Sequence, residues 1–223
     1  MRESISAVAF DIDGTLYANW RLYIRIFPYF LANLRFYLHY SAVRRILHRT
    51  APLSDFHTYQ TILLADRMNI SHEKAREMIT RKVYEKLTVY FRKVKAYPDV
   101  RETFLRFRDA GLKLAILSDF PPEQKGDIWG VRELCDVVLG TEECGALKPS
   151  VYPFGIMARK LGIPPERILY VGNSINSDIR GAQGAGMKTA YIMPFWQRLF
   201  GFTSKQADIS FGTYRQLQEI VLK

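Results

Sequence analysis

Four short stretches of this chain bring oxygen and nitrogen groups together in a way that suits chemistry on an anionic substrate. FDIDGT holds Asp11, Asp13 and Thr15, with Ile12 and Gly14 between them. LSD ends on Ser118 and Asp119, GALKPS carries Lys148, and VGNSINSD supplies Asn173, Ser174 and Asp178. Carboxylates at this density repel one another, so their joint ionisation calls for a cation. With oxygen donors alone and no Cys or His beside them, a hard ion such as Mg²⁺ is expected. A carboxylate nucleophile, a hard cation and a lysine together suit phosphoryl transfer through an aspartyl-phosphate. Each piece alone is commonplace, since Asp-Gly is most often a turn and Lys-Pro a loop; the weight lies in their occurring together and in order.

These residues meet only if the elements before them end on one edge. The apolar, β-branched run ISAVAF at 5–10 reads as a buried strand, and LKLAIL at 112–117, the run at 137–139 and that at 168–171 read likewise. Three stop just before one of the polar stretches, and GALKPS follows the run at 137–139 after five residues. Between the later strands lie amphipathic segments at 100–110, 152–161 and 179–185, closed by Gly111, Gly162 and Gly186. Further strands are expected at 188–192 and 208–211, with a terminal helix at 214–222. This alternation predicts an α/β fold: a Rossmann-like, mostly parallel sheet with helices on both faces. Ligands of such sheets bind outside the carboxyl ends of the strands.

The stretch 17–97 is different, with helical spacing at Leu22, Ile26 and Phe30 and again at Ile62, Ala65 and Met68. It reads as an all-helical insertion between a core formed by 1–16 and 98–223. Pro28 and Pro52 are expected to break helices, and Ser54 and Ser71 to start them.

The 223 residues carry 32 Lys plus Arg against 22 Asp plus Glu, a net charge of +10, with 48% hydrophobic and 24% charged residues. That composition is globular rather than disordered or collagen-like. The excess charge is confined to 17–97, where 15 basic residues face 5 acidic ones; the remainder has 17 of each. All four histidines, His39, His48, His57 and His72, fall in the same segment without metal-ligand spacing and are expected to be solvated or core imidazoles. Two cysteines, Cys135 and Cys144, cannot build a disulfide framework or a four-ligand zinc site. No secretory signal is read at the start, and five arginines interrupt the apolar region Trp20–Leu47, so neither export nor a transmembrane span is expected and the location expected is cytoplasmic.

The basic segment has three readings. Its arginines and lysines would steer phosphorylated substrates, or lie on an anionic membrane or nucleic acid. The simplest is that its aromatics, from Trp20 and Tyr23 to Tyr37 and Tyr40, pack a small bundle whose exterior the basic residues cover. Pro194-Phe195-Trp196 with Leu199-Phe200 is expected to pack as a loop near the last strands, with a dimer contact as the alternative. Monomer and dimer both stay open.

In order, FDIDGTLY, LSD, the lysine of GALKPS and VGNSINSD resemble the four motifs of the haloacid dehalogenase superfamily of hydrolases. The resemblance covers 1–16 and 98–223, and the insertion at 17–97 stands where that superfamily places a helical C1-type cap. It implies that Asp11 is the nucleophile and Asp13 the general acid and then base, that Ser118 holds a phosphoryl oxygen, and that Lys148 balances charge. It also implies Mg²⁺ held by Asp11, the Asp13 carbonyl, Asn173 and Asp178. Thr15, Asp119 and Ser174 would complete the substrate-binding edge, Thr15 by supporting Asp13. The activity implied is hydrolysis of a small phosphorylated metabolite, with no obligate nucleic acid partner. One departure stands out: the fourth motif usually begins Gly-Asp, and here the residue is Asn173, which removes a charge from the metal shell and predicts weaker Mg²⁺ binding. The alternatives are a phosphotransferase using the same intermediate and a weakly active or non-catalytic relative whose basic insertion binds an anionic surface or nucleic acid. A true dehalogenase is disfavoured by Asp13, because halide leaves without a proton.

Overall fold

The computed structural model describes residues 5–195, 197 and 204–223. Six strands form one sheet in the order β3-β2-β1-β4-β5-β6, and every pairing is parallel. They are β1 (Ala7–Phe10), β2 (Lys113–Ser118), β3 (Val137–Gly140), β4 (Ile168–Gly172), β5 (Lys188–Ile192) and β6 (Ile209–Phe211). The strands read as unbroken apolar runs because both faces of the sheet are covered. Their alternation still sorts the side chains. Val8, Phe10, Leu114, Ile116, Leu169 and Val171 pack on one face, with Phe104 and Phe107 of α6 (Val100–Asp109) and Leu217 of the C-terminal helix (Tyr214–Leu222). Ala7, Ala9, Ala115, Leu117 and Tyr170 face the other way, onto Phe154, Met157 and Leu161 of α7 (Val151–Leu161) and Ala182 of α8 (Arg180–Gly184). The terminal helix is α9 in chain order.

Between β1 and α6 the described chain is helices and connecting loops: α1 (Asn19–Ala32), α2 (Leu34–Leu47), α3 (Phe56–Met68), α4 (His72–Ile79) and α5 (Lys86–Phe91), the last two joined by a wider helical turn over Thr80–Glu85. Tyr97 donates its amide to the Leu16 carbonyl at 2.8 Å, so the chain leaves and re-enters the sheet layer at neighbouring points.

Two local expectations fail. Pro28 lies inside α1 rather than ending it. Ile24 and Phe27 beside it are exposed, so the carbonyl that loses its amide partner is not stranded in an apolar interior. Asp55, not Ser54, caps α3, its carboxylate accepting the Thr58 amide at 2.9 Å. Ser71 caps α4 and Pro52 lies between helices, both as expected. The helix expected at 179–185 is entered early, by a wide turn over Ile175–Ile179 that Ser174 caps by accepting the Ser177 amide.

Tyr37, Phe36 and Tyr40 pack within the helical segment, while Trp20, Tyr23 and Phe27 stay exposed, so the aromatics divide between core and surface. The expected loop at Pro194–Phe200 falls largely outside the described residues. Among the described residues, no helix is long and apolar enough to cross a membrane.

Candidate active site

The strand ends converge as the parallel order requires. Asp11, Asp13 and Thr15 follow β1, Ser118 closes β2, and Asn173, Ser174 and Asp178 follow β4. Lys148 comes from the loop between β3 and α7. Asp11, Asp13, Lys148, Asn173, Ser174 and Asp178 border a cleft of about 610 Å³, roofed by α1 and α5, while Thr15 and Ser118 lie buried behind its lining.

Lys148 is buried, and its ammonium donates to Asp11 Oδ1 and to Asp178 Oδ1, both at 2.7 Å. It also reaches the Tyr170 hydroxyl at 3.3 Å. The other oxygen of Asp11 accepts the Thr15 hydroxyl at 2.8 Å. The other oxygen of Asp178 accepts the amides of Asn173 and Ser174 at 3.1 and 2.9 Å. Gly172 makes this close approach possible, because a Cβ there would overlap the Asp178 side chain. Burial, with Asp178 and Asp13 nearby, pushes the Asp11 carboxyl up to about 7 against the opposing pull of Lys148. Burial would lower the lysine, but the charges of Asp11 and Asp178 hold it above the usual lysine range. Two carboxylates thus share one ammonium.

Asp13 stands at the cleft, half-buried. Its Oδ1 accepts the Tyr17 hydroxyl at 2.6 Å, and its Oδ2 accepts the Lys125 ammonium at 3.0 Å and the Ser118 hydroxyl at 3.4 Å. The expected support of Asp13 by Thr15 is therefore replaced. Thr15 turns to Asp11, with a second contact to Asn173 Oδ1 at 3.3 Å. Ser118 is fully buried and bonded to Asp13. Asp119 has its carboxylate committed to the Thr141 hydroxyl at 2.8 Å and the Lys148 amide at 3.1 Å, so it fixes the loop that carries the lysine. Against burial, Lys148, His48 and Arg44 hold its carboxyl below the usual carboxylate range. Ser174, Asn173 and Asp178 border the cleft.

Sequence reasoning missed Tyr17 and Lys125. Lys125 is completely buried between the rings of Phe91 and Phe120, 4.6 and 5.7 Å away, and spends its charge on Asp13. It ends a short 3-10 turn, Pro122–Lys125, after β2, where no spacing marks it out. A further buried ion pair joins Arg44 of α2 to Glu142 in the loop after β3, and Glu142 also accepts the Tyr84 hydroxyl at 2.8 Å. Half-buried His48 touches the Lys148 carbonyl through Nδ1 at 2.6 Å. Of the 15 basic residues in 17–97, none borders the cleft; Lys148 is the one cation among the described lining residues. Burial pushes the thiols of Cys135 and Cys144 up to about 12 and about 11, which keeps them protonated.

The donors fit a hard divalent cation in type and charge. Asp11, Asp13, Asn173 and Asp178 present oxygens to one cleft, and the Asp11–Lys148–Asp178 group carries one negative charge in excess when both acids are ionised. Among the described residues no three His, Cys, Asp or Glu side chains converge as a metal cluster. Gly14, at φ +90°, lets the loop after Asp13 turn against Asn173; a Cβ at 14 would overlap its amide.

A family model described as haloacid dehalogenase-like hydrolase matches residues 5–186. The chain is 32% identical over 197 residues to a glyceraldehyde 3-phosphate phosphatase of Methanopyrus kandleri, covering 84% of each. It is 24% identical to a phosphoglycolate phosphatase of Haemophilus influenzae, covering 99% of this chain and 100% of that one. The crystal structure of a HAD phosphatase from Thermococcus onnurineus superposes with a TM-score of 0.65 at 24% identity, over 97% of this chain and 98% of that one. With the motif residues gathered at the strand ends and the match running through most of its length, the chain belongs to the haloacid dehalogenase-like hydrolases.

Proposed function

We propose that this hydrolase is a Mg²⁺-dependent phosphatase that cleaves small phosphate monoesters through an aspartyl-phosphate on Asp11. The observation that carries the reading is the pair of acids after β1 in unlike surroundings. Asp11 is buried against Lys148, and Asp13 is half-buried at the cleft and held by Tyr17 and Lys125. Two carboxylates in different environments suit two roles. The phosphatase names of the relatives support the same reading.

Asp11 attacks phosphorus in line, forming the acyl phosphate as the bond to the ester oxygen breaks. Asp13 gives its proton to the departing alcohol, then takes one from water as that water attacks the acyl phosphate, returning Asp11 and free phosphate. One residue serves both steps because their proton demands are opposite. Lys148 offsets charge on Asp11 and the transferring group. Ser118, whose hydroxyl lies beside Asp13, would donate to a phosphoryl oxygen. Asp11, the Asp13 carbonyl, Asn173 and Asp178 would hold Mg²⁺, which when bound neutralises phosphoryl and carboxylate charge.

The test is hydrolysis of p-nitrophenyl phosphate with and without Mg²⁺, with Asp11→Asn as the blank. Acid-quenched wild type should carry a phosphoryl adduct on Asp11 by mass spectrometry. Turnover surviving in Asp11→Asn refutes the mechanism.

A further inference from the structure

The cleft has two unlike halves. Its floor is the charged group around Asp11 and Lys148. Its walls are Leu22, Ile26, Phe27 and Phe30 of α1 with Leu87 and Phe91 of α5. From α1 only Asn19 and the Tyr23 hydroxyl add polar atoms, and the Tyr17 hydroxyl is already bonded to Asp13. A sugar or polyol phosphate seated at Asp11 would press its hydroxyls on these walls, where they lose water and find few partners. A hydrocarbon group placed there loses nothing and buries area.

The apolar surface also runs past the mouth of the cleft. Trp20, Tyr23, Ile24, Phe27 and Leu31 follow one another at helical spacing along α1, and each is 57–65% exposed. Tyr23 and Phe27 belong to both surfaces, since they border the cleft and the outer strip. An apolar strip of this extent on a soluble face marks a place where something apolar binds. Here it leads directly to the phosphate end of the site.

Resting on the phosphatase reading above, we propose that the substrate is a phosphate monoester of a hydrocarbon alcohol, with its phosphate at Asp11 and its chain along Ile26, Phe27 and Phe30 toward the outer face of α1. The reaction is the one already written, with the hydrocarbon alcohol as leaving group protonated by Asp13. Such an ester comes either free in water or presented by a lipid surface, and the two sources share this chemistry.

The experiment measures kcat/KM for ethyl, hexyl and decyl phosphate below their aggregation concentrations, beside glycerol 3-phosphate and glucose 6-phosphate, with p-nitrophenyl phosphate as the activity standard. The expected result is a rise with chain length of up to about fourfold per methylene until the chain outgrows the cleft, with both polyol esters below hexyl phosphate. The double variant Ile26→Ser/Phe27→Ser should cut the decyl-to-ethyl ratio at least about tenfold; a folding defect would lower both rates and leave the ratio alone. A flat or falling series, or preference for the polyol esters while p-nitrophenyl phosphate is hydrolysed, overturns the proposal and leaves the phosphatase reading standing. If no ester is hydrolysed, the phosphatase reading has failed, and calorimetric binding of ethyl and decyl phosphonate decides the apolar wall: tighter decyl binding upholds it and equal binding overturns it. Hexadecyl phosphate in phosphatidylcholine vesicles separates the sources. Hydrolysis there assigns the lipid surface, and hydrolysis of the monomers alone assigns the soluble ester; both uphold the substrate class.

Discussion

Lys125 donates to Asp13 at 3.0 Å from a position with no solvent exposure of its side chain, while Asp13 itself remains 26% exposed. A lysine whose only carboxylate partner among the described residues is the proposed proton donor fixes that donor's rotamer and offsets its charge. Lys125→Met keeps the stem packed between Phe91 and Phe120 and removes the ammonium. We expect kcat to fall about 10- to 100-fold with KM nearly unchanged, and Lys125→Arg to recover part of the loss. A proportional rise in KM, or no change in either constant, would show that Lys125 does no more than fill space.

Asp11 gives a pH dependence of stability with a definite sign. Its folded carboxyl is pushed up to about 7 and its unfolded one titrates at the ordinary aspartate value of 3.8, so between those values the native state binds the extra proton. Stability should therefore fall as pH rises from about 4 to about 7 on account of this group. Asp11→Asn removes that loss and leaves Lys148 paired one to one with Asp178. In EDTA, the variant should be more stable than wild type above pH 7, by at most about 4 kcal/mol, and the gap should close toward pH 4. Urea denaturation across the pH series measures it; a gap that widens on acidification would contradict the assignment.

Asn173 touches Thr15 through its amide oxygen and crowds Gly14. Asn173→Asp adds a carboxylate of nearly equal size to a set of oxygen donors. The Mg²⁺ concentration giving half-maximal hydrolysis should drop about tenfold or more. Without metal the variant should melt lower than wild type, because a further acid then faces Asp11 and Asp178. An unchanged Mg²⁺ dependence would exclude position 173 from the metal shell.

The Arg44–Glu142 pair joins α2 to the loop after β3 with both side chains buried. Removing either partner strands a charge in the interior and should cost about 3–5 kcal/mol. Arg44→Met combined with Glu142→Leu should cost less than the sum of the single changes, which a double-mutant cycle by denaturant unfolding reads directly.

The sheet was legible in the sequence because three of its first four strands are short apolar runs stopped by a polar motif, as in AVAF before Asp11 or ILYVG before Asn173. The meeting of Asp11, Asp13, Asn173 and Asp178 at one edge was legible for the same reason, since a parallel sheet sends the ends of its strands to one edge. What failed depends on surroundings that a local pattern does not hold. Pro28 continues a helix because its neighbours face solvent, and Thr15 chooses Asp11 over Asp13 by the turn of the loop at Gly14. Lys125 lies 112 positions from Asp13, in a short turn with no periodicity, and only the folded chain brings them together. The aromatics of α1 and α2 share one composition, yet Tyr37 is buried and Tyr23 is not; which face meets the bundle is decided by the packing of α1 against its neighbours.

β1 lies at the centre of the sheet, with Ala7 level with Lys113 on one side and Ile168 on the other. β1 thus has no partner until more than a hundred further residues have followed. Contacts among α1 to α5 are close in sequence and form without it, whereas the central ladder waits for both halves of the remaining chain. A ribosome stalled or a chain cut before β4 leaves an apolar strand with one edge open, the species most prone to pair with another copy. For this strand pairing waits on residues far downstream, and the pocket around Asp11 is complete only once Asp178 has been made.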